Sequence, residues 1–194
     1  MTEITTIVGN GLAETESQAD LPTTSAKFWH RTPFALGDFG ELLLAGDGES
    51  LTHLLFIDDL TDARARHASL LEGEEERDAF DGVLEWLDRY FAGEPLRTSD
   101  CRQPLAPRGT EFDQRVWNAL REIPFGETCS YGQLAAAIGS PKAARAVGHA
   151  NGRNPISIVV PCHRVIGANG RLTGFGGGLP RKARLLDHEC FAAR

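Results

Sequence analysis

The hydrophobic pattern in the first half of the chain predicts strands before it predicts a helix. Apolar residues run through Glu41–Gly46 and again through Leu51–Phe56. The Asp47-Gly48 pair between them is typical of a tight β-hairpin turn. Residues 58–78 are rich in charge and are predicted to form a surface loop. The pattern therefore predicts two antiparallel strands followed by an irregular segment.

A helical pattern comes next along the chain. Apolar side chains recur at helical spacing and form one face, namely Phe80, Val83, Leu84, Leu87 and Phe91. Gly93 and Pro95 follow directly, as is typical just beyond a helix end. Residues 1–26 carry few large apolar side chains and are predicted to be a loose or disordered arm. Residues 27–100 are therefore predicted to form a small α/β domain, with an antiparallel sheet and a helix.

Helix-capping signals dominate beyond a proline-rich linker at residues 101–109. Thr110 and Ser130 each stand three residues before a side chain that completes a capping box. The first signal predicts an amphipathic helix, and the second predicts a short helix over Tyr131–Ile138. The second half of the chain is therefore predicted to be mainly helical.

A third helix is predicted close behind the second. Gly139 ends the second helix, and Ser140 is predicted to cap a helix over Pro141–Ala150. Two short helices joined by a Gly-Ser turn are typical of a helix-turn-helix. The third helix is rich in small side chains, with Arg145 prominent among them. Residues 110–194 are predicted to form a winged-helix-like domain, which makes the whole chain an α+β protein.

One cysteine lies in a context that favours reactivity. The apolar run Ile156–Val160 predicts a buried extended segment, and Pro161, Cys162 and His163 follow it. Thiolate is the reactive form of cysteine, and a histidine can take up the thiol proton directly or through water. Because neighbouring side chains diverge along an extended chain, this pair needs a turn or a bridging water. Glu189 is available to orient the histidine.

Charge is divided unevenly along the chain, whose formal net charge is −7. Residues 1–100 contain 7 basic and 21 acidic side chains, a net charge of −14. Residues 101–194 contain 13 basic and 6 acidic side chains, a net charge of +7. Such asymmetry is typical of an acidic domain joined to an anion-binding one, and chance segregation of solvated charge explains it equally well.

Length and composition exclude several classes of protein. The chain has 194 residues, 41% of them hydrophobic, which is enough for a substantial core. No apolar run approaches the roughly 20 residues of a membrane-spanning helix, and the N-terminus lacks a secretory signal. The cysteines, Cys101, Cys129, Cys162 and Cys190, lack the paired spacing of a zinc site. We therefore expect a cytoplasmic protein with free thiols, no metal site and no membrane partner.

Several short motifs occur together in one 35-residue stretch: Arg145-Ala-Val-Gly148, Asn154-Pro155, Pro161-Cys-His-Arg-Val165 and Gly176-Gly-Gly-Leu179. In this arrangement the chain resembles the O6-alkylguanine-DNA alkyltransferases, which take an alkyl group from DNA onto their own cysteine. The resemblance is strong from about Gly109 to Glu189 and weaker over residues 28–100. Residues 1–26 have no evident counterpart.

The resemblance implies a role for each residue around the thiol. It implies Cys162 as the alkyl acceptor, His163 as a base acting through water, and Glu189 as the partner of that base. Asn154 matches the asparagine that orders the turn at the cysteine. Tyr131 matches the tyrosine that donates a proton to the departing guanine. No cofactor is implied, because the lesion itself is the alkyl donor.

The resemblance also implies how DNA is held. Arg145 matches the arginine that fills the gap left by a flipped nucleotide. The implied minor-groove residues are small: Ala143, Ala144 and Gly148. The implied base pocket contains Val165, Phe175 and Gly176. Phe175 departs from the tyrosine that relatives commonly carry there, so this chain keeps the ring and lacks the hydroxyl.

The implied function is direct-reversal DNA repair. The expected partner is double-stranded DNA containing O6-alkylguanine, mainly O6-methylguanine, and acceptance of O4-methylthymine is left open. A thioether is not easily reversed, so each protein molecule, expected to be a monomer, repairs one lesion.

Three other functions stay open at this point: a non-catalytic lesion-binding module, a helix-turn-helix regulator and a cysteine hydrolase. The presence of Cys162 disfavours the first. The small side chains of the third helix disfavour the second, because a recognition helix needs polar side chains to read bases. The hydrolase would need an oxyanion hole and would turn over repeatedly.

Overall fold

The computed structural model describes residues 26–37 and 40–192 and begins with a four-stranded sheet in the order β3-β2-β1-β4. Its strands are β1 (Phe28–Pro33), β2 (Glu41–Gly46), β3 (Leu51–Ile57) and β4 (Glu74–Glu75). β2 is antiparallel to both neighbours, as the sequence predicts, whereas the short β4 runs parallel to β1. The predicted hairpin turn is confirmed: Asp47 Oδ1 accepts the backbone N–H groups of Glu49 and Ser50 at 3.0 and 2.7 Å.

The prediction of a surface loop over residues 58–78 is wrong. This segment forms α1 (Leu60–Arg66), a 3₁₀ turn (Ala68–Leu71) and β4. Its few apolar residues, Ala63 and Leu70 among them, are buried against one face of the sheet, on which Leu43, Ala45, Leu55 and Ile57 lie. Leu60 and Leu71 pack against the same cluster, so four apolar side chains of this highly charged segment cover the sheet face.

The opposite face of the sheet belongs to the main hydrophobic core. The predicted amphipathic helix is present as α2 (Asp81–Phe91), and it buries Val83, Leu84, Trp86, Leu87 and Tyr90 in this core. Side chains of the second half, including Trp117 and Leu185, belong to the same cluster. Backbone bonds also join the halves, since Leu54 N–H donates to Pro155 O and Ser157 N–H to Leu54 O, both at 2.8 Å.

The second half contributes four α-helices to the described residues: α3 (Glu111–Arg121), α4 (Tyr131–Ala137), α5 (Ala144–Gly152) and α6 (Leu179–Ala192). The two predicted capping boxes are confirmed, Thr110 with Asp113 and Ser130 with Gln133. α5 packs against α3, where Trp117 Nε1 donates to Ala150 O at 2.8 Å. The α+β class, with a sheet-containing first half and a helical second half, is therefore confirmed.

The predicted start of the third helix is wrong. α5 begins at Ala144, and its N-cap is Ala143, which has no side chain able to cap. Ser140 instead accepts the N–H of Ala143 at 2.8 Å with its backbone carbonyl, so Ser140 and Pro141 belong to the connecting turn. Residues 140–143 could locally form either a turn or the start of a helix. Packing of α5 on its neighbours selects the turn.

The segment Ile156–Val160 is buried, as predicted, but it is not extended. Val160 N–H donates to Ile156 O at 3.1 Å, and Ile158 takes a left-handed φ of 68°. The Asn154 amide holds this fold, donating to Val160 O at 2.8 Å and accepting the Ile156 N–H at 3.1 Å. A buried polar side chain replaces the strand partner that an extended segment would need.

No helix among residues 26–37 and 40–192 is both long and apolar enough to cross a membrane. Of the predicted N-terminal arm, only Ala26 lies within the described residues. The domain boundaries proposed from the sequence stay predictions.

Candidate active site

Cys162 opens a single 3₁₀ turn, Cys162–Arg164, directly after the folded segment held by Asn154. All three residues of this turn are buried, and Cys162 is 4% exposed. The Cys162 N–H donates to Val160 O at 2.8 Å, and the Val165 N–H closes the turn on Cys162 O. The sequence analysis expects a turn or a bridging water between Cys162 and His163, and a turn is present.

Beyond the turn, the short strands β5 (Cys129–Ser130) and β6 (Val165–Ile166) pair in parallel. This pairing brings the start of α4, where Tyr131 is the first residue, beside the chain that leaves the cysteine turn. Two regions that are more than 30 residues apart in the sequence are thereby held next to each other.

The Glu189 carboxylate, 0% exposed, is the centre of the polar contacts behind the thiol. Its Oε1 lies 2.7 Å from His163 Nε2 and accepts the Tyr90 hydroxyl at 2.8 Å. Arg164 donates to both oxygens, from Nη2 to Oε1 and from Nε to Oε2, each at 2.9 Å. The Gly126 N–H donates to Oε2 at 3.0 Å. The donors come from three separate parts of the backbone, namely α2, the loop at Gly126 and the cysteine turn, so the carboxylate is held from several directions.

These contacts determine the protonation of Glu189 and His163. Burial alone would raise the pKa of Glu189, but His163 and Arg164 outweigh it and hold the pKa well below its usual range. Burial lowers the pKa of His163, with Glu189 opposing the shift, so the imidazole is neutral at pH 7. A carboxylate only accepts hydrogen bonds, so His163 Nε2 carries the proton and Nδ1 is the basic nitrogen.

His163 Nδ1 is buried and meets no hydrogen-bond partner among the described residues. Burial also raises the pKa of the Cys162 thiol, while the Asn154 side chain and the charge of Lys182 act in the opposite direction. The resting thiol is therefore protonated and needs a base to become a nucleophile. His163 Nδ1, on the adjacent residue, is an unprotonated nitrogen that could accept this proton.

Lys182 is a second buried charge close to the thiol. Its ammonium donates to Val165 O at 2.6 Å and to Thr173 O at 2.7 Å, which ties the cysteine turn to the glycine-rich loop 173–178. Burial lowers the pKa of Lys182 to about 8, and a negative charge on Cys162, present once the thiol is deprotonated, would oppose the shift. Tyr131 reaches the same loop, because its hydroxyl donates to Thr173 O at 3.2 Å.

The predicted base-pocket residues line this loop and the cysteine turn. Val165 is buried, Phe175 is half-buried and Gly176 is exposed. The Phe175 ring meets Phe56 of β3 edge-on, with 5.7 Å between ring centroids. Gly177 allows this packing, because a Cβ there would lie 2.5 Å from the Phe56 ring. The first half of the chain thus supports the loop from behind.

The predicted DNA-contacting residues lie together on α5 and at its N-terminus. Arg145 is exposed, whereas Ala143, Ala144 and Gly148 are partly exposed. Gly148 lies against the Tyr131 ring, and a Cβ added to Gly148 would lie 3.7 Å from that ring. The inner face of α5 is buried through Val147 and Ala150. The small-residue surface therefore faces outward beside Tyr131.

Three residues of the site were missed from the sequence: Tyr90, Arg164 and Lys182. Arg164 and Lys182 are 3% and 0% exposed, although isolated arginine and lysine residues are usually on the surface. A signal was present for Lys182, because it shares the apolar face of α6 with Leu185 and Glu189 at helical spacing. A charged residue on the buried stripe of a helix indicates a polar cluster within the core.

The remaining cysteines lie outside the cysteine turn. Cys101 and Cys129 are partly buried and Cys190 is exposed, all as free thiols. Within the part of the chain that the structure describes, no three His, Cys, Asp or Glu side chains are grouped to hold a metal ion.

Comparisons with known proteins match both halves of the chain. A family model described as "6-O-methylguanine DNA methyltransferase, DNA binding domain" matches residues 111–191. A second, "6-O-methylguanine DNA methyltransferase, ribonuclease-like domain", matches residues 37–102. Together the two models match well over half of the chain.

Similar curated proteins include the methylated-DNA–protein-cysteine methyltransferases of Mycobacterium tuberculosis and Methanosarcina acetivorans. Each is 53% identical over 150 residues, which is 77% of this chain and 86% and 92% of those proteins. The crystal structure of Mycobacterium tuberculosis OGT in complex with DNA superposes with a TM-score of 0.73 and 46% identity, covering 85% of this chain and 94% of that one. The O6-methylguanine-DNA methyltransferase of Pyrococcus kodakaraensis gives a TM-score of 0.65 at 25% identity, covering 83% and 98%.

Replacing Glu189 by Gln should lower the free energy of unfolding by about 3–5 kcal/mol, because it leaves buried Arg164 without its carboxylate. Asp187→Asn, at an exposed position on the same helix, is the matched control and should change stability by less than about 0.5 kcal/mol. Urea unfolding at pH 7 measures both. Equal stability of the two variants would contradict the central position given to Glu189.

Proposed function

The chain belongs to the 6-O-methylguanine DNA methyltransferase family, and from this we infer that it repairs DNA by moving an alkyl group onto one of its own cysteines. We propose Cys162 as the acceptor and O6-alkylguanine in double-stranded DNA as the donor. The observation that supports the proposal is one buried turn that contains both Cys162 and His163, whose imidazole is fixed by Glu189. The similar structure of OGT in complex with DNA supports DNA as the partner.

The transfer is a displacement at the alkyl carbon. The Cys162 sulfur forms a bond to that carbon as the carbon–O6 bond breaks, and the electron pair of the broken bond stays on guanine. The thiol proton passes through a bridging water to His163 Nδ1, while the Nε2 proton stays on His163 and remains hydrogen-bonded to Glu189. The imidazolium that forms is stabilised by the carboxylate that also orients it.

Tyr131 is the proposed proton donor to the departing guanine. Its hydroxyl lies at the glycine-rich loop, between the small-residue surface of α5 and the cysteine turn. Protonation turns guanine into a better leaving group, which is why a phenol suits this position. Asn154 holds the segment before the cysteine, so it positions the thiol rather than reacting.

The alkylated oxygen is out of reach in a stacked duplex, so the base must be flipped out. Arg145, exposed on α5, is proposed to occupy the resulting gap, and Ala143, Ala144 and Gly148 to let the helix approach the minor groove closely. Val165, Phe175 and Gly176 are proposed to surround the flipped base. The net charge of +7 on residues 101–194 favours binding to phosphates.

The thioether product is stable, so each molecule is proposed to act once. We further propose that the protein acts as a monomer in the cytoplasm, because the acceptor must remain a free thiol and reducing compartments keep it so.

Incubation with a duplex that carries one O6-methylguanine should add a single methyl group to each protein molecule, on the peptide that contains Cys162. Peptide mass spectrometry makes the measurement, and Cys101, Cys129 and Cys190 serve as internal controls. Cys162→Ser should bind the duplex and transfer nothing. An intact lesion with an unmodified Cys162 peptide, or repeated turnover, would refute the proposal.

Arg145→Ala should slow methyl transfer from duplex DNA by at least about tenfold, which corresponds to 1.4 kcal/mol. Its reaction with the free base O6-benzylguanine should be nearly unchanged, because a free base needs no flipping. Arg64→Ala, which removes an exposed charge from α1, is the control and should affect neither rate. The measurement is the single-turnover rate of each variant and of the wild type with the duplex and with the free base. Equal losses on duplex and free base would exclude a flipping role for Arg145.

A further inference from the structure

The Tyr90 side chain comes from α2, in the first half of the chain, yet its hydroxyl ends inside the cluster behind the thiol. The residue is 0% exposed. Its ring stacks on Trp86 at 5.3 Å with an interplanar angle of 11°, and it meets Phe125 edge-on at 5.8 Å. Aromatic contacts from both halves of the chain therefore fix the ring and aim the hydroxyl at one point.

That point is Glu189 Oε1, which accepts the Tyr90 hydroxyl at 2.8 Å and lies 2.7 Å from His163 Nε2. The phenol and the imidazole thus share one oxygen atom. We infer that Tyr90 is a positioning residue for alkyl transfer, a phenol supplied by the first half that holds the carboxylate on which His163 depends. The inference rests on the proposed function, since it assigns a role within the same relay.

The shared oxygen has a chemical consequence for His163. Burial and the negative charge of Glu189 raise the pKa of Tyr90, so the phenol remains a donor throughout the working pH range. A donor on Oε1 withdraws part of the negative charge that would otherwise stabilise a protonated imidazole. Removal of the hydroxyl therefore lets Glu189 stabilise the protonated His163 imidazole more strongly, which raises the pKa of His163.

The other groups that act on His163 come from two elements. Glu189 and Lys182 belong to α6, and Arg164 belongs to the cysteine turn. His188 lies on the far side of the Tyr90 ring, with Nε2 2.7 Å from Tyr90 O. Tyr90→Phe keeps all of these groups and the aromatic packing, so a change in the titration of His163 reports on the phenol itself.

Thr98→Val is a matched control for the loss of a hydroxyl at the junction between the halves. Thr98 Oγ1 donates to Val159 O at 2.6 Å, which links the first half to the segment before the cysteine turn without touching Glu189. Both variants should unfold at lower urea concentration than the wild type. A role confined to folding would make the two variants alike in every other respect.

The deciding measurement is the pH dependence of methyl transfer to Cys162, followed together with the NMR titration of the His163 ring. Tyr90→Phe should move the acid-side midpoint of both curves upward by about half a unit or more, and Thr98→Val should leave both midpoints in place. Incorporation of 3-fluorotyrosine at position 90 makes the phenol a stronger donor and should move the midpoints downward. This variant keeps the test intact if Tyr90→Phe does not fold.

Midpoints that are unchanged, or that move in the opposite directions, would overturn the inference. Failure of the proposed function has a different signature, because wild-type protein would then leave Cys162 unmodified at every pH. The NMR titration needs no DNA, so it tests the effect of the Tyr90 hydroxyl on the pKa of His163 in either case.

Discussion

The buried carboxylate of Glu189 joins both halves of the chain to the turn that contains Cys162, and the proposed chemistry depends on it. Removing a carboxylate from water is costly, and the cost is offset only where strong donors surround it. Here the donors come from α2, from the loop at Gly126 and from the cysteine turn. One interaction centre thus fixes the junction of the two halves, the rotamer of Arg164 and the proton on His163 Nε2.

The same arrangement explains how the thiol can remain protonated and unreactive until substrate binds. Burial keeps Cys162 protonated, so the free thiol is a poor nucleophile. In the proposed mechanism His163 Nδ1 is the base, and its orientation costs nothing at the moment of reaction because Glu189 has already set it. The outward surface of α5 and the glycine-rich loop lie next to this site, where a flipped base would enter. The acidic first half supports the site from behind and lies outside the proposed DNA footprint.

Much of the site could be predicted from local sequence signals. Capping boxes identified α3 and α4. The resemblance carried by the motifs around Cys162 predicts His163, Asn154 and Glu189 as its partners. Predictions failed where long-range packing decides between local options. Residues 58–78 contain few apolar side chains, yet a sheet face covers them, and residues 156–160 fold around a buried amide instead of extending. Tyr90 could not be predicted, because its contact with Glu189 joins residues 99 positions apart.

The central claim concerns one proton: at neutral pH, His163 is uncharged, with hydrogen on Nε2 and a free lone pair on Nδ1. A long-range ¹H–¹⁵N correlation spectrum of protein labelled with ¹⁵N-histidine tests this directly, with His163 assigned by comparison with His163→Gln. The account predicts that His163 Nδ1 resonates as an unprotonated nitrogen and Nε2 as a protonated one. A proton on Nδ1, or a doubly protonated ring, would contradict it.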